Sequence, residues 1–320
     1  MTGASLARAT GGLVALAAAG VAWGLVEARW YTLREVTVPV LPSGHDPLRV
    51  LHVSDLHLTP DQDRKAAWVR ELAQLDPHLV VDTGDNWAHL ESFGLLAHAL
   101  EPLLARPGVF VMGSNDYVAP QPKNPARYLR ADARSTPPQP PQELPWREMV
   151  RLFRSAGWLD LDNHRGVLDV AGRRVSFVGT DDAHLDRDRM PAAGGPDDAR
   201  TEPGPAGTPG VDLHVGVTHA PYQRVLDAFL ADDADLVLAG HTHGGQLAVP
   251  GWGALVTNCD LDPGRAKGLH GWPGPRPDAP GGAGSTWLHV SGGLGTSPYA
   301  PVRFACRPEA TLLTLVPAEH

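Results

Sequence analysis

Apolar positions along this chain switch repeatedly between a strand pattern and a helical one. Residues 49–53 form a run of strand length, and residues 64–75 place Ala67, Val69, Leu72 and Leu75 at helical spacing. The succession repeats with a strand at 79–81, a helix at 93–104 and a strand at 109–112, after an early β-type run at 36–40. Strand–helix–strand order with short turns predicts βαβ units and a mainly parallel, buried sheet. A helix around 146–156 precedes a hairpin with strands near 167–170 and 175–178, turning at Ala171-Gly172. The pattern then gives a strand at 213–217, a helix at 222–230, a strand at 236–238, and last strands at 287–290 and 310–315. Pro- and Gly-rich stretches at 135–145, 190–210 and 271–284 read as loops, and those at 130–145 and 190–210 are expected to shape a pocket. No internal repeat is visible.

The N-terminal segment stands apart. Residues 9–26 carry no charge and are bounded by Arg8 and Glu27, a length at the low end of a bilayer span, though Ala and Gly make the run weakly hydrophobic. A single-span anchor is the preferred reading. A cleaved signal segment with Ala17-Ala18-Ala19 as its small-residue site, or a soluble helix, are the alternatives. Trp23 and Trp30 could sit in the interfacial belt. The slight positive excess at Arg8 would leave the bulk outside the cytoplasm. Residues 1–35 are therefore expected to be an anchor or signal segment, and 36–320 a single domain that carries whatever chemistry the chain has.

Composition narrows the chemistry. Gly (35) and Pro (31) together stay below the roughly 25–30% that marks disorder, so a loop-rich folded protein is expected. A net charge of −9 argues against nucleic-acid binding. Two cysteines against 15 histidines leave imidazole and carboxylate to hold any metal. Cys259 and Cys306 are expected to be buried and away from the metal-binding clusters.

The His and Asp residues cluster just past predicted strands, where the loops of an open α/β sheet build ligand sites. These clusters are Ser54-Asp55-Leu56-His57, Thr83-Gly84-Asp85-Asn86, Gly113-Ser114-Asn115-Asp116, Thr218-His219 and Gly240-His241-Thr242-His243-Gly244-Gly245-Gln246. If the backbone is extended there, Asp55 and His57 point the same way, as do His241 and His243. Such oxygen and nitrogen donors suit manganese, iron or zinc.

This spaced set of motifs resembles the calcineurin-like metallophosphoesterase superfamily. The Gly-His-Thr-His-Gly-Gly-Gln string and the late segment 292–309 resemble its YkuE/YaeI-like bacterial phosphodiesterase branch. The likeness spans roughly residues 48–316. It implies an α/β fold, a four-layer αββα sandwich, here with an N-terminal hydrophobic helix. It also implies that Asp55, His57 and His243 hold one divalent ion, that Asp85 bridges to a second, and that Asn115, His219 and His241 complete the second site. The ions would be Mn, Fe or Zn, and a bridging hydroxide would attack a phosphate ester, more readily a diester. With the anchor, a phospholipid or lipid-linked pyrophosphate is the expected substrate, and no protein partner is expected. The rival reading is a non-catalytic scaffold on the same fold, against which the retained Asp and His set argues.

One departure matters. The family's third motif usually reads Gly-Asn-His-Asp/Glu, with Asn on metal and His as general acid, whereas here Ser114 and Asn115 fill those slots. Asn115 is expected to reach the metal, with Ser114 as fallback; either His184 supplies the acid or the substrate carries a good leaving group. Asp116, Asp181 and Asp182 are expected either to orient ligand imidazoles or to cap loops.

Overall fold

A computed structural model describes residues 3–122, 140–194 and 210–318; within the first helix, the side chains of residues 3–11, 13 and 14 lie outside the description. In chain order the helices are α1 (Gly3–Glu27), α2 (Asp63–Glu71), α3 (Phe93–Leu104), α4 (Ser114–Tyr117), α5 (Trp146–Ser155) and α6 (Gln223–Ala231). The strands are β1 (Thr32–Leu41), β2 (Leu48–Val53), β3 (Leu79–Asp82), β4 (Gly108–Phe110), β5 (Leu159–Asp160), β6 (Arg165–Val170) and β7 (Arg173–Thr180). They continue with β8 (Leu213–Thr218), β9 (Leu236–Ala239), β10 (Ala248–Val249), β11 (Gly253–Ala254), β12 (Gly268–Trp272), β13 (Thr286–Val290) and β14 (Glu309–Pro317).

Two six-stranded sheets form, ordered β1-β14-β2-β3-β4-β5 and β12-β13-β9-β8-β7-β6. Strands β2 to β5 run parallel in the first, and β13, β9, β8 and β7 run parallel in the second. Successive strand residues face opposite ways, which sorts the core into three clusters. Val50, Val81 and Val109 of the first sheet share one cluster with Val175, Val215 and Leu236 of the second. Their neighbours Leu51, Val80 and Phe110 turn outward onto Val69 of α2, Leu96 and Leu100 of α3, and Phe153 of α5. Val178, Val237 and Leu288 turn outward onto Val225, Leu226 and Phe229 of α6. The layers are thus helices, sheet, sheet, helix, and burial on both faces explains why these strands read as unbroken apolar runs.

Several boundaries differ from the sequence reading. The expected helix at 64–75 is α2 followed by a 3-10 turn, Leu72–Leu75. β5 and the β10–β11 hairpin have two-residue strands, too short to show a period. β12 is an antiparallel strand at the sheet end whose Gly268 and Gly271 mask its pattern, and its end overlaps the loop expected from residue 271. The stretches 130–145 and 190–210 fall largely outside the described residues, and with them the pocket-shaping role expected there.

The N-terminus also needs correction. Among the described residues no helix is long and apolar enough to cross a membrane, so the expected transmembrane anchor at 9–26 gains no support. The division expected at residue 35 falls inside β1, which pairs in parallel with β14 from Thr32 to Pro39 and, after a register shift, at Leu41. The last turn of α1 is part of the body as well. The Gly24 carbonyl accepts from the Arg303 amide at 3.0 Å, and the buried Glu27 carboxylate accepts from the Cys306 amide at 2.6 Å.

Candidate metal centre

Every motif lies where a parallel strand ends. Asp55 and His57 follow β2, Asp85 follows β3, the 113–116 loop follows β4, His219 follows β8, and His241 and His243 follow β9. The side chains converge, but not through extended alternation. Asp55, His57, Asp85, His241 and His243 all adopt positive φ, between 43° and 70°. Non-glycine residues hold that region at a cost, and such strain collects at functional sites. Two glycines make the crowding possible. Gly84 has φ 87°, and a Cβ there would strike the Gly113 amide; a Cβ at Gly240 would overlap the Ser54 hydroxyl beside Asp55.

Carbonyl partners fix which nitrogen of each ring carries hydrogen, because a carbonyl only accepts. His219 donates from Nδ1 to Thr83 O at 2.6 Å, His241 from Nε2 to Asn258 O at 3.2 Å, and His243 from Nδ1 to Gly295 O at 3.0 Å. In the neutral rings the other nitrogens carry the lone pairs, and these nitrogens meet. His57 Nε2 is 3.1 Å from His243 Nε2, and His241 Nδ1 is 3.3 Å from His219 Nε2. Asp55 Oδ1 lies 3.4 Å from His243 Nε2. Asp85 Oδ2 lies 3.4 Å from His57 Nε2 and 3.6 Å from His219 Nε2, common to both groups. Nitrogens bound at about 2.1 Å to one ion stand roughly 3.0–3.4 Å apart, so the donors are spaced as ligands. Asp55 Oδ1 and His57 Nδ1 are buried with no hydrogen-bond partner among the described residues. Asp55, His57 and His243 can share one ion, and Asp55, Asp85 and His219 also lie within mutual reach, so Asp55 faces both positions.

Electrostatics agree with this donor set. Burial lowers His57 and His241 to about 4 and His243 well below its usual value, which keeps three rings neutral near pH 7. Burial also opposes charge on His219, but the carboxylates of Asp85, Asp55 and Asp182 outweigh it and raise the ring to about 9. Asp85 responds in kind: burial pushes it up, yet His219 and His57 hold it below the ordinary carboxylate range. Burial drives Asp55 up to about 6. Without an ion, then, His219 and Asp85 satisfy each other as a charged pair.

Asn115 reaches this centre. Its amide Nδ2 donates to Asp85 Oδ2 at 2.8 Å, and its backbone N–H donates to Asp85 Oδ1 at 2.7 Å. Ser114 begins α4 and is half-buried. The His184 ring stands 4.6 Å from that of His241, half-buried, with Nδ1 3.1 Å from the Tyr222 hydroxyl. Asp116 caps loops and does not orient an imidazole: its carboxylate accepts from the amides of Asp85, Asn86 and Gly113 at 2.7, 2.7 and 2.9 Å. Asp181 binds Arg187 and the Tyr117 hydroxyl, and Asp182 caps the His184 amide. Cys306 corrects an expectation, since its buried thiol lies 3.3 Å from the carbonyl oxygen of His243. Sequence reading missed the partners Thr83 O, Asn258 O and Gly295 O. Backbone carbonyls carry no residue signature, so only the fold reveals them.

Comparison with known proteins gives the same family. The calcineurin-like phosphoesterase model matches residues 48–245. The uncharacterized protein YpbG of Bacillus subtilis (strain 168) is 26% identical over 249 residues, covering 75% of this chain and 78% of YpbG. The uncharacterized metallophosphoesterase YkuE of the same organism is 35% identical over 81 residues, a quarter of this chain (25%) and 24% of YkuE. The structure of Haemophilus influenzae NAD nucleotidase (NadN) aligns at a TM-score of 0.43 and 13% identity, covering 83% of this chain and 49% of that one. The chain belongs to the calcineurin-like phosphoesterase family, in its YkuE-like branch, and is a metal-dependent phosphoesterase.

Proposed function

We propose that this calcineurin-like phosphoesterase hydrolyses phosphodiesters with two divalent ions, Mn, Fe or Zn. The observation that carries the reading is the single oxygen of Asp85 standing 3.4 Å from His57 and 3.6 Å from His219, one carboxylate facing two sets of imidazoles. Asp55, His57, His243 and Asp85 would hold one ion; Asp85, Asn115, His219 and His241 would hold the other. Bound there, such ions supply hydroxide at neutral pH and offset phosphoryl charge. The chain itself does the positioning. The two Asn115 donors fix both oxygens of Asp85, and three backbone carbonyls fix the rings of His219, His241 and His243.

His184 is the proposed proton donor to the leaving group, in place of the motif His. As the imidazolium, His184 would donate from Nδ1 to the Tyr222 hydroxyl 3.1 Å away, leaving the Nε2 proton for the leaving oxygen. The ester is proposed to carry a lipid, as a phospholipid or lipid-linked pyrophosphate. Supporting this, Leu247, Val249, Trp252, Leu255 and Phe304 are exposed on a hairpin and loop that begin just past His243, joined where Ala248 donates to Phe304 O.

The test is hydrolysis of bis-p-nitrophenyl phosphate by the full chain, stripped of metal and resupplied with manganese, zinc or iron. Activity should require metal and disappear in Asp85→Ala. A chain that binds no metal and hydrolyses nothing would revive the scaffold reading.

A further inference from the structure

Arg303 is among the largest side chains with no solvent exposure, and among the described residues no carboxylate pairs with it. A buried cation is costly unless its hydrogens are satisfied. Its bonds go almost wholly to the backbone of the metal centre. Nη2 donates to Gly295 O at 2.7 Å and Gly293 O at 3.0 Å, and Nη1 donates to His243 O at 3.2 Å and Cys306 O at 3.4 Å. Those four carbonyls consume all four Nη hydrogens. Nη2 also lies 3.3 Å from His243 Nδ1, and both nitrogens bond Gly295 O; because that carbonyl only accepts, Nδ1 donates to it. That assignment leaves the Nε2 lone pair facing His57 and Asp55. The planar fork therefore ties two separate loops, one after β9 and one after β13, into a single setting for His243. The second loop also packs on the neighbouring ligand, since a Cβ at Gly293 would come within 2.7 Å of the Asp55 Cβ.

Arg303 is held in turn from the N-terminus. Its amide donates to Gly24 O, and three residues on, the Cys306 amide donates to Glu27 Oε1, whose carboxylate is braced by Trp23 Nε1 at 2.8 Å. Gly24 packs closely here, for a Cβ would stand 3.2 Å from Arg303 O.

We infer that Arg303 is a positioning residue that sets His243 for its ion, and that the last turn of α1 keeps Arg303 in place. This rests on the two-ion reading of the site. It assigns the end of the N-terminal helix a role in the metal centre, independent of any membrane.

The test is calorimetric titration of Mn²⁺ into the metal-stripped full chain, with His57→Ala and His241→Ala identifying which ion each binding step reports. In Arg303→Met the ion that uses His243 should bind about 10–100-fold more weakly, the loss expected when a ligand's supporting partner is removed. The ion on the His219–His241 side should be unchanged. Arg303→Lys, which keeps charge but cannot span four carbonyls, should lose affinity at the same ion. Glu27→Ala, which touches no ligand, should shift that ion in the same direction by less. With Co²⁺ in place of Mn²⁺, the visible absorption of that ion should change and that of the other should not. Equal weakening of both ions together with a lower melting temperature, or no weakening of the His243 ion, overturns the inference. If Arg303→Met does not fold, Arg303→Lys and Glu27→Ala decide it by the same criteria. A wild-type chain that binds no Mn²⁺ refutes the metal-site reading instead.

Discussion

The two halves of the metal cleft use the same kinds of donor atom but are backed by opposite chemistry. Behind Asp55, His57 and His243 stand two buried basic side chains, Arg303 and Lys65. Arg303 donates to the carbonyls of Gly293, Gly295 and His243, and the buried Lys65 Nζ donates to Leu56 O at 2.7 Å, between two ligands. Behind His219 and His241 stand the carbonyls of Thr83 and Asn258, with the carboxyl of Asp182 acting on His219, and this half borders the partly exposed His184. The difference teaches how one Asp can serve two ions unequally. The half around Arg303 spends its buried donors on ligand geometry. The other half borders His184, the proposed proton donor.

The largest effects should come from breaking one half at a time. His57→Ala should cost one ion and His241→Ala the other, each beyond the ~10–100-fold that loss of a mere supporting partner costs. Both should abolish hydrolysis of bis-p-nitrophenyl phosphate if the halves act together. Retained activity in either variant, with one Mn²⁺ per chain, would mean that a single ion suffices and that the comparison is one of storage, not catalysis.

His184 probes the His219–His241 half alone. His184→Ala should slow hydrolysis of an alkyl phosphodiester by about 10²–10⁴-fold, the usual worth of a general acid. A nitrophenyl ester, whose leaving group needs no proton, should be affected far less, and Mn²⁺ binding should be untouched. Equal slowing of both esters removes His184 from the role. Tyr222→Phe deletes the hydroxyl 3.1 Å from Nδ1 while keeping the ring. It should slow the alkyl ester about tenfold or less, in line with ~1 kcal/mol for one hydrogen bond.

How much of this was legible in the sequence differs between the halves as well. Asp55, His57, Asp85, His219, His241 and His243 announce themselves because ligand chemistry admits few residue types and the motifs follow strand ends. The strands were legible for a related reason: Val50–Leu51 and Val80–Val81 bury both faces and read as apolar runs. What held the ligands in place was not legible. The positive φ of Asp55 and His241 was hidden, because left-handed backbone at a non-glycine residue depends on tertiary packing. Arg303 was hidden too, since a buried arginine looks like any surface arginine until the chain folds around it. The N-terminal run was the least legible region. Its uncharged Ala and Gly residues suggested a membrane span, whereas the chemistry that ties it to the body lies in Gly24 and Glu27 at its end.

The smallest effect concerns the floor shared by both halves. Asp82 ends β3, and its Oδ1 accepts from the Gly84 amide at 2.8 Å and Asn86 Nδ2 at 3.3 Å, holding the turn that presents Asp85. Its other oxygen is buried with no hydrogen-bond partner among the described residues. Burial raises this carboxyl to about 7, against an ordinary value of 3.8. Because the folded value exceeds the unfolded one, ionisation costs stability: nothing below pH 4, growing through the range between the two values, and in full above about pH 7. Asp82→Asn keeps an acceptor for both donors and removes the buried charge. The metal-stripped variant should therefore melt higher than wild type at pH 8, by a few degrees, and the gain should shrink steadily as the pH falls toward 4. A gain that is flat with pH would trace to the amide's own hydrogen bonds. A loss at pH 8 would mean that the charge is stabilised by its neighbours, and that the floor of the cleft belongs electrostatically with the half around Arg303.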